Sequence, residues 1–532
     1  MSHRLFATPA RPTGLPVVAL VLLALPSLAF ATQWTVDVSA APGGNGSPQK
    51  PFNTLNQVLP VLATGDTVLV HTGTYNETVN FWQVQQGSGS RTTIKAAPGA
   101  SPIIDGGGSA TFVLQAGETA QMTFEGLTVR NATGVGIMFH KASGGQVVSC
   151  TTQNVGVGVN FYYSNSGEVT GSDLFGGVAG KASDGITVKS CKIHDGKVNG
   201  LYLHADSKNC SYVGNVVHNN TPNNIYIDTA SNMTVDRNLI YFSGTPPAEH
   251  AGIMMGDEVY PNVTSPRLDN ITITNNVMIN NRYGILFWQG DYPGQSGMKN
   301  VRIANNTVIN SVETALVWDP GPHSAVVQNN IFADDGKGNA SMLVMAKSTT
   351  GVTLDHNLWD IPWVPNFVHW GGSPMTHYAW KQASGQGAND VLGDPKLAGP
   401  WTQPAANAKL QSGSPAIDKG AALAFVTHDF DGTTRPVGAG HDIGAFETGG
   451  TPPPPDGGPK PDGTQPGDSG PHPGTDGPHA ADHGGSSTDD TSPGGSDDGC
   501  GCRLQPRAGE TGGSLLLLAL AVLGLVRRRR AA

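Results

Sequence analysis

Six asparagines, Asn215, Asn238, Asn276, Asn306, Asn330 and Asn357, recur through the middle of this chain inside one repeated frame. An apolar residue stands three places before each (Tyr212, Val235, Ile273, Ile303, Val327, Leu354), and another two places after (Val217, Ile240, Met278, Val308, Phe332, Trp359). The successive gaps are 23, 38, 30, 24 and 27 residues. Recurrence in this range, with variable insertions, predicts a solenoid, because a single short repeat can bury its apolar face only against its neighbours. Asparagine suits the frame in two ways. It tolerates the left-handed backbone of a sharp turn, and its amide both donates and accepts, so stacked copies can bond along the axis.

Each repeat reads as three short strands. Ile271-Thr272-Ile273 alternates, Asn276 turns the chain, Val277-Met278-Ile279 resumes, and Ile285-Leu286-Phe287-Trp288 follows the turn at Gly284. Weaker copies over 122–129, 146–152 and 186–193 put Leu127, Cys150 and Cys191 in the asparagine position. Cys150 and Cys191 would then lie two turns, about 9.6 Å, apart, too far for a disulfide. Buried thiols are expected, Cys210 included. Ahead of the repeats, Phe52, Leu55, Val58 and Leu62 have helical spacing and predict a short amphipathic helix over the first coil. The repeat frame is lost between 394 and 447, where Gly413-Ser414-Pro415-Ala416-Ile417-Asp418, Arg435-Pro436 and Asp442-Ile443-Gly444-Ala445-Phe446-Glu447 predict an end cap. Asp429-Phe430-Asp431-Gly432 suggests calcium but is too short for a calcium loop.

The repeat, with the opening Pro51-Phe52-Asn53-Thr54-Leu55 and Gly65-Asp66-Thr67-Val68, resembles the right-handed parallel β-helix family, the fold of pectate lyases and many secreted carbohydrate-active proteins. The resemblance covers roughly 32–359. It implies an all-β solenoid with an N-terminal capping helix and a C-terminal cap, and a polysaccharide site on the third-strand face. No stretch matches the signatures of pectate lyases, polygalacturonases or alginate epimerases.

The chain ends suggest export. Arg4 and Arg11 precede an apolar run to Phe30, and Ala29-Phe30-Ala31 supplies a cleavage pattern, so 1–31 reads as a signal peptide. The solenoid and its cap, the latter from about 366, occupy 32–447; 448–499 is a Pro, Gly, Asp and Ser tether too polar to bury a core. Cys500-Gly501-Cys502, the apolar run 515–526 and Arg527 to Arg530 fill the tail. This arrangement resembles the C-terminal sorting tags of myxobacterial surface proteins, which implies processing near Cys500 and Cys502 and anchoring at the outer membrane. The run also reads as a short membrane segment. A net charge of −10 argues against a nucleic-acid partner.

Counting along successive third strands gives an outward row of His140, Tyr162, His204, Asp228, Gly256, Trp288 and Asp319. Two residues earlier stand Met138, Asn160, Tyr202, Tyr226, Met254, Leu286 and Val317. Rows about 4.8 Å apart, one per coil, can hold an extended sugar polymer. Tyr202, Tyr226, Trp288 and Asp319 are the candidate substrate contacts. Catalytic candidates are His204, Asp228, His250, Asp257 and Arg282, with Glu258 and Asp291 nearby. A lyase would need a neutraliser, either Arg282 or a calcium ion on Asp228 and Asp257, together with a tuned base. A hydrolase would need paired carboxylates, about 5 Å apart for retention or about 6.5–9.5 Å for inversion. Two readings stand: a polysaccharide lyase or hydrolase, and a non-catalytic binding or adhesion protein using the same face.

Overall fold

The computed structural model describes residues 31–449 apart from 83, 85–88, 259–267, 289–297, 320, 335–340, 347–348 and 361–366. The segments expected to be a signal peptide and a tether, together with Cys500, Cys502, the tail's apolar run and Asp291, lie outside the described residues. Among those described, no helix is long and apolar enough to cross a membrane.

The chain winds into a parallel coil. First strands of successive turns pair in register into a 13-stranded parallel sheet, for example Val235 with Ile273 and Ile273 with Ile303. Second and third strands pair likewise with their counterparts in the next coil. In the coils at 102–117, 128–140 and 151–162 the second and third strands run on as one strand. Alternate side chains point inward and stack along the axis. Phe139 and Phe161 are parallel at 5.0 Å, and Phe332 and Trp359 stack at 4.6 Å. Each such ring, fully removed from water, contributes about 2–3 kcal/mol. Cys150, Cys191 and Cys210 are buried free thiols. Burial pushes the first two up to about 12 and Cys210 up to about 11, so all three stay protonated and act as small apolar groups.

The asparagines form one continuous column. Asn238 donates from its amide to Asn276 Oδ1 (2.9 Å), Asn276 to Asn306 (2.9 Å), Asn306 to Asn330 (2.9 Å) and Asn330 to Asn357 (3.0 Å). Each Oδ1 also accepts the backbone N–H of the preceding copy, as in Asn276 N to Asn306 Oδ1 at 3.0 Å. The left-handed residue is not the ladder asparagine, as the sequence suggested, but the one before it: Gly214, Arg237, Asn275, Asn305, Asn329 and His356. The ladder asparagine is therefore selected for its amide alone.

Two further expectations are corrected. The N-terminal helix is a single 3-10 turn, Leu55–Gln57, because Pro60 has no N–H to continue an α-helical ladder. Phe52, Leu55, Val58 and Leu62 are nevertheless all buried. The C-terminal region divides in two. Helix α1 (His377–Ser384) closes the end of the coil with Trp380 in the core. Nearby Asp390 terminates the ladder, accepting Asn357 N (3.0 Å), Trp359 Nε1 (2.8 Å) and His377 Nε2 (3.1 Å). Residues 394–447, by contrast, turn back and lie lengthwise over the outer face of the second strands. Leu397, Ala405, Ala408, Ala445 and Phe446 pack on Leu239, Val277, Ile279 and Ile309. Ala416 and Ile443 pack on Ile331, Ala333 and Leu358.

Arg435 pins this cover. Its guanidinium meets Glu447 Oε1 at 2.5 Å, Gly444 O at 2.8 Å and Asn275 Oδ1 at 3.2 Å, with both charged side chains fully buried. The acidic residues that suggested calcium face protein donors. Asp429 takes Thr433 N and Glu447 N, Asp442 takes Asp418 N and Thr448 N, and Asp431 meets Lys409. Their oxygens are committed to protein N–H groups and ammonium, not arranged as an oxygen cage.

Candidate functional site on the third-strand face

The third strands align Trp82, Gly117, His140, Tyr162, Lys181 and His204 in one outward row, continuing through Gly256 to Trp288. The parallel outward row runs through Asn80, Gln115, Met138, Asn160, Ala179, Tyr202, Tyr226, Met254 and Leu286. One coil absent from the sequence reading supplies Ala179 and Lys181. It spans Glu168 to Lys181 with Ser172 in the ladder position, where Ser172 Oγ accepts Cys150 N at 3.1 Å. Val169 and Leu174 hold the apolar places of its frame, so the signal was present and only the asparagine was missing.

In the central coils the outward groups interlock. Tyr202 and Tyr226 stack at 5.4 Å with planes 5° apart, and His204 lies on Tyr202 at 4.3 Å. Tyr226 Oη donates to Glu258 Oε1 (2.8 Å), and Tyr202 Oη approaches Asp228 Oδ2 (3.4 Å). Asp228 Oδ1 accepts the Thr229 hydroxyl (2.9 Å) and Glu258 N (3.0 Å). Tyr202, His204, Tyr226 and Asp228 are all buried although their register points them away from the coil interior, and Asp257, one residue past Gly256 of that row, is buried as well. Burial, with the Lys181 charge, pushes His204 down to about 3, which keeps the imidazole neutral. Asp228 Oδ1 thus already accepts a hydroxyl and an N–H, and among the described residues no three His, Cys, Asp or Glu side chains form a metal-type cluster.

The other candidates stand apart. His250 and Arg282 precede the third strands Ala251–Gly256 and Tyr283–Trp288. They are thus about 20 Å, six extended residues, from the end that carries Asp228, Asp257 and Trp288. His250 is fully buried, its ring nitrogens at 2.8 Å from Pro222 O and 3.0 Å from Asn281 Oδ1. Arg282 pairs with Glu313 (2.9 Å) and donates to Pro247 O (2.7 Å). Asp319 is buried, in register with Trp288 one coil on, and Trp288 is half-buried. Among the described residues, the basic side chain nearest Asp228 in the outward row is Lys181, two coils and about 9.6 Å away.

The family model described as "Right handed beta helix region" matches residues 101–241 and 176–357. The fold is a right-handed parallel β-helix. No curated protein matches the chain. Among solved structures, pectate lyase Pel9A is similar at 13% identity, covering 79% of this chain and 97% of that one, with a TM-score of 0.45. A complex of XylC with xylose follows at 10% identity, covering 79% and 99%, with a TM-score of 0.43. A rhamnogalacturonan lyase is similar at 12% identity, covering 72% and 95%, with a TM-score of 0.40. The likeness is one of fold.

Proposed function

We propose that this is an exported protein, held at the cell surface through its Cys500-Gly501-Cys502 tail, that binds polysaccharide along the outer face of its third strands. The observation that carries the reading is the pair of outward rows, which set aromatic, amide and acidic side chains in successive coils about 4.8 Å apart. Rings offer apolar faces to sugars, and polar tips fix hydroxyls. If a bond is cleaved, Asp228, Asp257 and Glu258 are the groups in place to move a proton, while Arg282 is held by Glu313 at the far end of the strand. The non-catalytic reading is favoured by the resting state of Asp228, whose two oxygens already face Tyr202, Thr229 and Glu258 N. The test is retention of the full chain on a panel of plant and microbial polysaccharides, following unsaturated products and reducing ends together. Retention with product formation abolished by Asp228→Asn establishes an enzyme, and retention without products a binding protein. Absence of retention on every polymer would refute the carbohydrate reading.

A further inference from the structure

The outward row changes character along its length. Its central part is buried, but its N-terminal part is open and aromatic. Trp82 is 39% exposed, His140 and Tyr162 are half-exposed, and the adjoining Tyr163 is 45% exposed. These rings meet edge to face in sequence: Trp82 to His140 at 5.5 Å, His140 to Tyr162 at 5.4 Å and Tyr162 to Tyr163 at 4.7 Å. Trp82 reaches His140 across an intervening coil because that coil carries Gly117, where an added Cβ would lie 2.1 Å from Trp82 Cε3. The glycine is thus what lets the indole lie flat on the sheet.

Beside the rings runs a second row of Asn80, Gln115, Met138 and Asn160, three amides interrupted by one apolar side chain next to His140. None of these three amides is held by a side-chain hydrogen bond among the described residues, although Gln115 is only 7% exposed. With no protein partner and access to solvent at its tip, the Gln115 amide can donate to and accept from a ligand's hydroxyl. The two rows are about 6.6 Å apart, and the platform from Trp82 to Lys181 is about 19 Å long, four coil spacings. No carboxylate stands in either row over these coils.

We infer that this platform is a subsite for an uncharged polysaccharide strand lying along the solenoid axis, its sugar faces on Trp82 and Tyr162 and its hydroxyls on Gln115 and the neighbouring amides. The inference rests on the carbohydrate reading above and locates the binding energy in the N-terminal coils, away from the Asp228 cluster. An uncharged ligand fits a surface of amides and aromatic rings whose cation in the row, Lys181, already lies over the Tyr162 ring at 5.6 Å.

The test is affinity electrophoresis of the full chain in gels containing xylan, β-glucan or mannan, with pectate as the anionic comparison. Trp82→Ala and Tyr162→Ala should each weaken retention on an uncharged polymer by about five-fold, the loss of one stacking contact. Gly117→Ala should do the same by displacing the indole without removing it. Melting temperatures of the two ring deletions should stay near the parent value, since both rings are partly solvent-facing, and retention should survive about 0.5 M NaCl. If Trp288→Ala abolishes retention while Trp82→Ala and Tyr162→Ala leave it intact, the subsite is overturned and the carbohydrate reading stands. Retention on pectate alone, lost in salt, overturns the uncharged ligand. If the parent chain is retained by no polymer, both fall.

Discussion

The two outer faces of the same coils have opposite fates. Outward residues of the second strands, such as Val277 and Ile279, are buried beneath the returning 394–447 segment. Outward residues of the adjacent third strand, Leu286 and Trp288, remain half-exposed. The sequence distinguishes them by pattern. Leu239-Ile240-Tyr241, Val277-Met278-Ile279 and Ile331-Phe332-Ala333 are unbroken apolar triplets, as expected of strands covered on both sides. Third strands of the earlier coils instead put polar or aromatic groups at alternate positions, as in Asn160 and Tyr162, Tyr202 and His204, and Tyr226 and Asp228. In this solenoid the second-strand face is taken up by packing, while the third-strand face stays open in its N-terminal coils.

The comparison can be broken from the covered side first. Arg435→Leu strands Glu447 without its guanidinium in a fully buried site and should cost about 3–5 kcal/mol. Urea unfolding would measure the loss, and new proteolytic cleavage within 394–449 would show that the cover has lifted. Asn276→Ala removes the acceptor of both Asn238 N and the Asn238 amide, and leaves Val235 O without its donor. With buried groups orphaned, it should cost about 2–4 kcal/mol, read in the same unfolding experiment, and should loosen both faces together. Ile279→Ala and Leu286→Ala give the sharpest contrast, since both are outward apolar residues of one coil. The first should cost about 2–4 kcal/mol and the second about 1 kcal/mol.

The smallest effect is pH-dependent. Burial, with Asp394 and Asp334 nearby, pushes the Asp360 carboxyl up to about 6 from an ordinary 3.8. The folded chain therefore holds this proton more tightly than the unfolded one, so an ionisation penalty sets in as pH rises through 4 to 6 and is complete above 6. Asp360→Asn should raise the melting temperature by about 1–3 °C at pH 7.5 and leave it unchanged at pH 4.

Much of the fold was legible because the ladder frame is local: an apolar residue, a left-handed turn, an amide and another apolar residue recur within a few positions. The Glu168 to Lys181 coil escaped because Ser172 replaces the amide while still capping the Cys150 N–H. The path of 394–447 escaped because its apolar residues are few and short-range pattern cannot tell an end from a flank, though the apolar triplets pointed to a cover. At the candidate site, periodicity placed His204, Asp228, Tyr202, Tyr226 and Trp288 on one face. It could not show that Glu258 folds onto Tyr226 and Asp228, because that contact depends on a loop whose course has no period. The pairing of Arg282 with Glu313 does follow the period, since each stands six residues before Trp288 or Asp319 of the row, and was legible by counting back along the strand.

The most direct test of the open-face account is hydroxyl-radical footprinting of the full chain with and without a polysaccharide it retains. The account predicts protection of Trp82, His140 and Tyr162 on the third-strand face, with Tyr241, Ile279 and Phe446 unchanged. Protection appearing instead along the second-strand flank, with the Trp82 to Tyr162 strip as reactive as before, would contradict it.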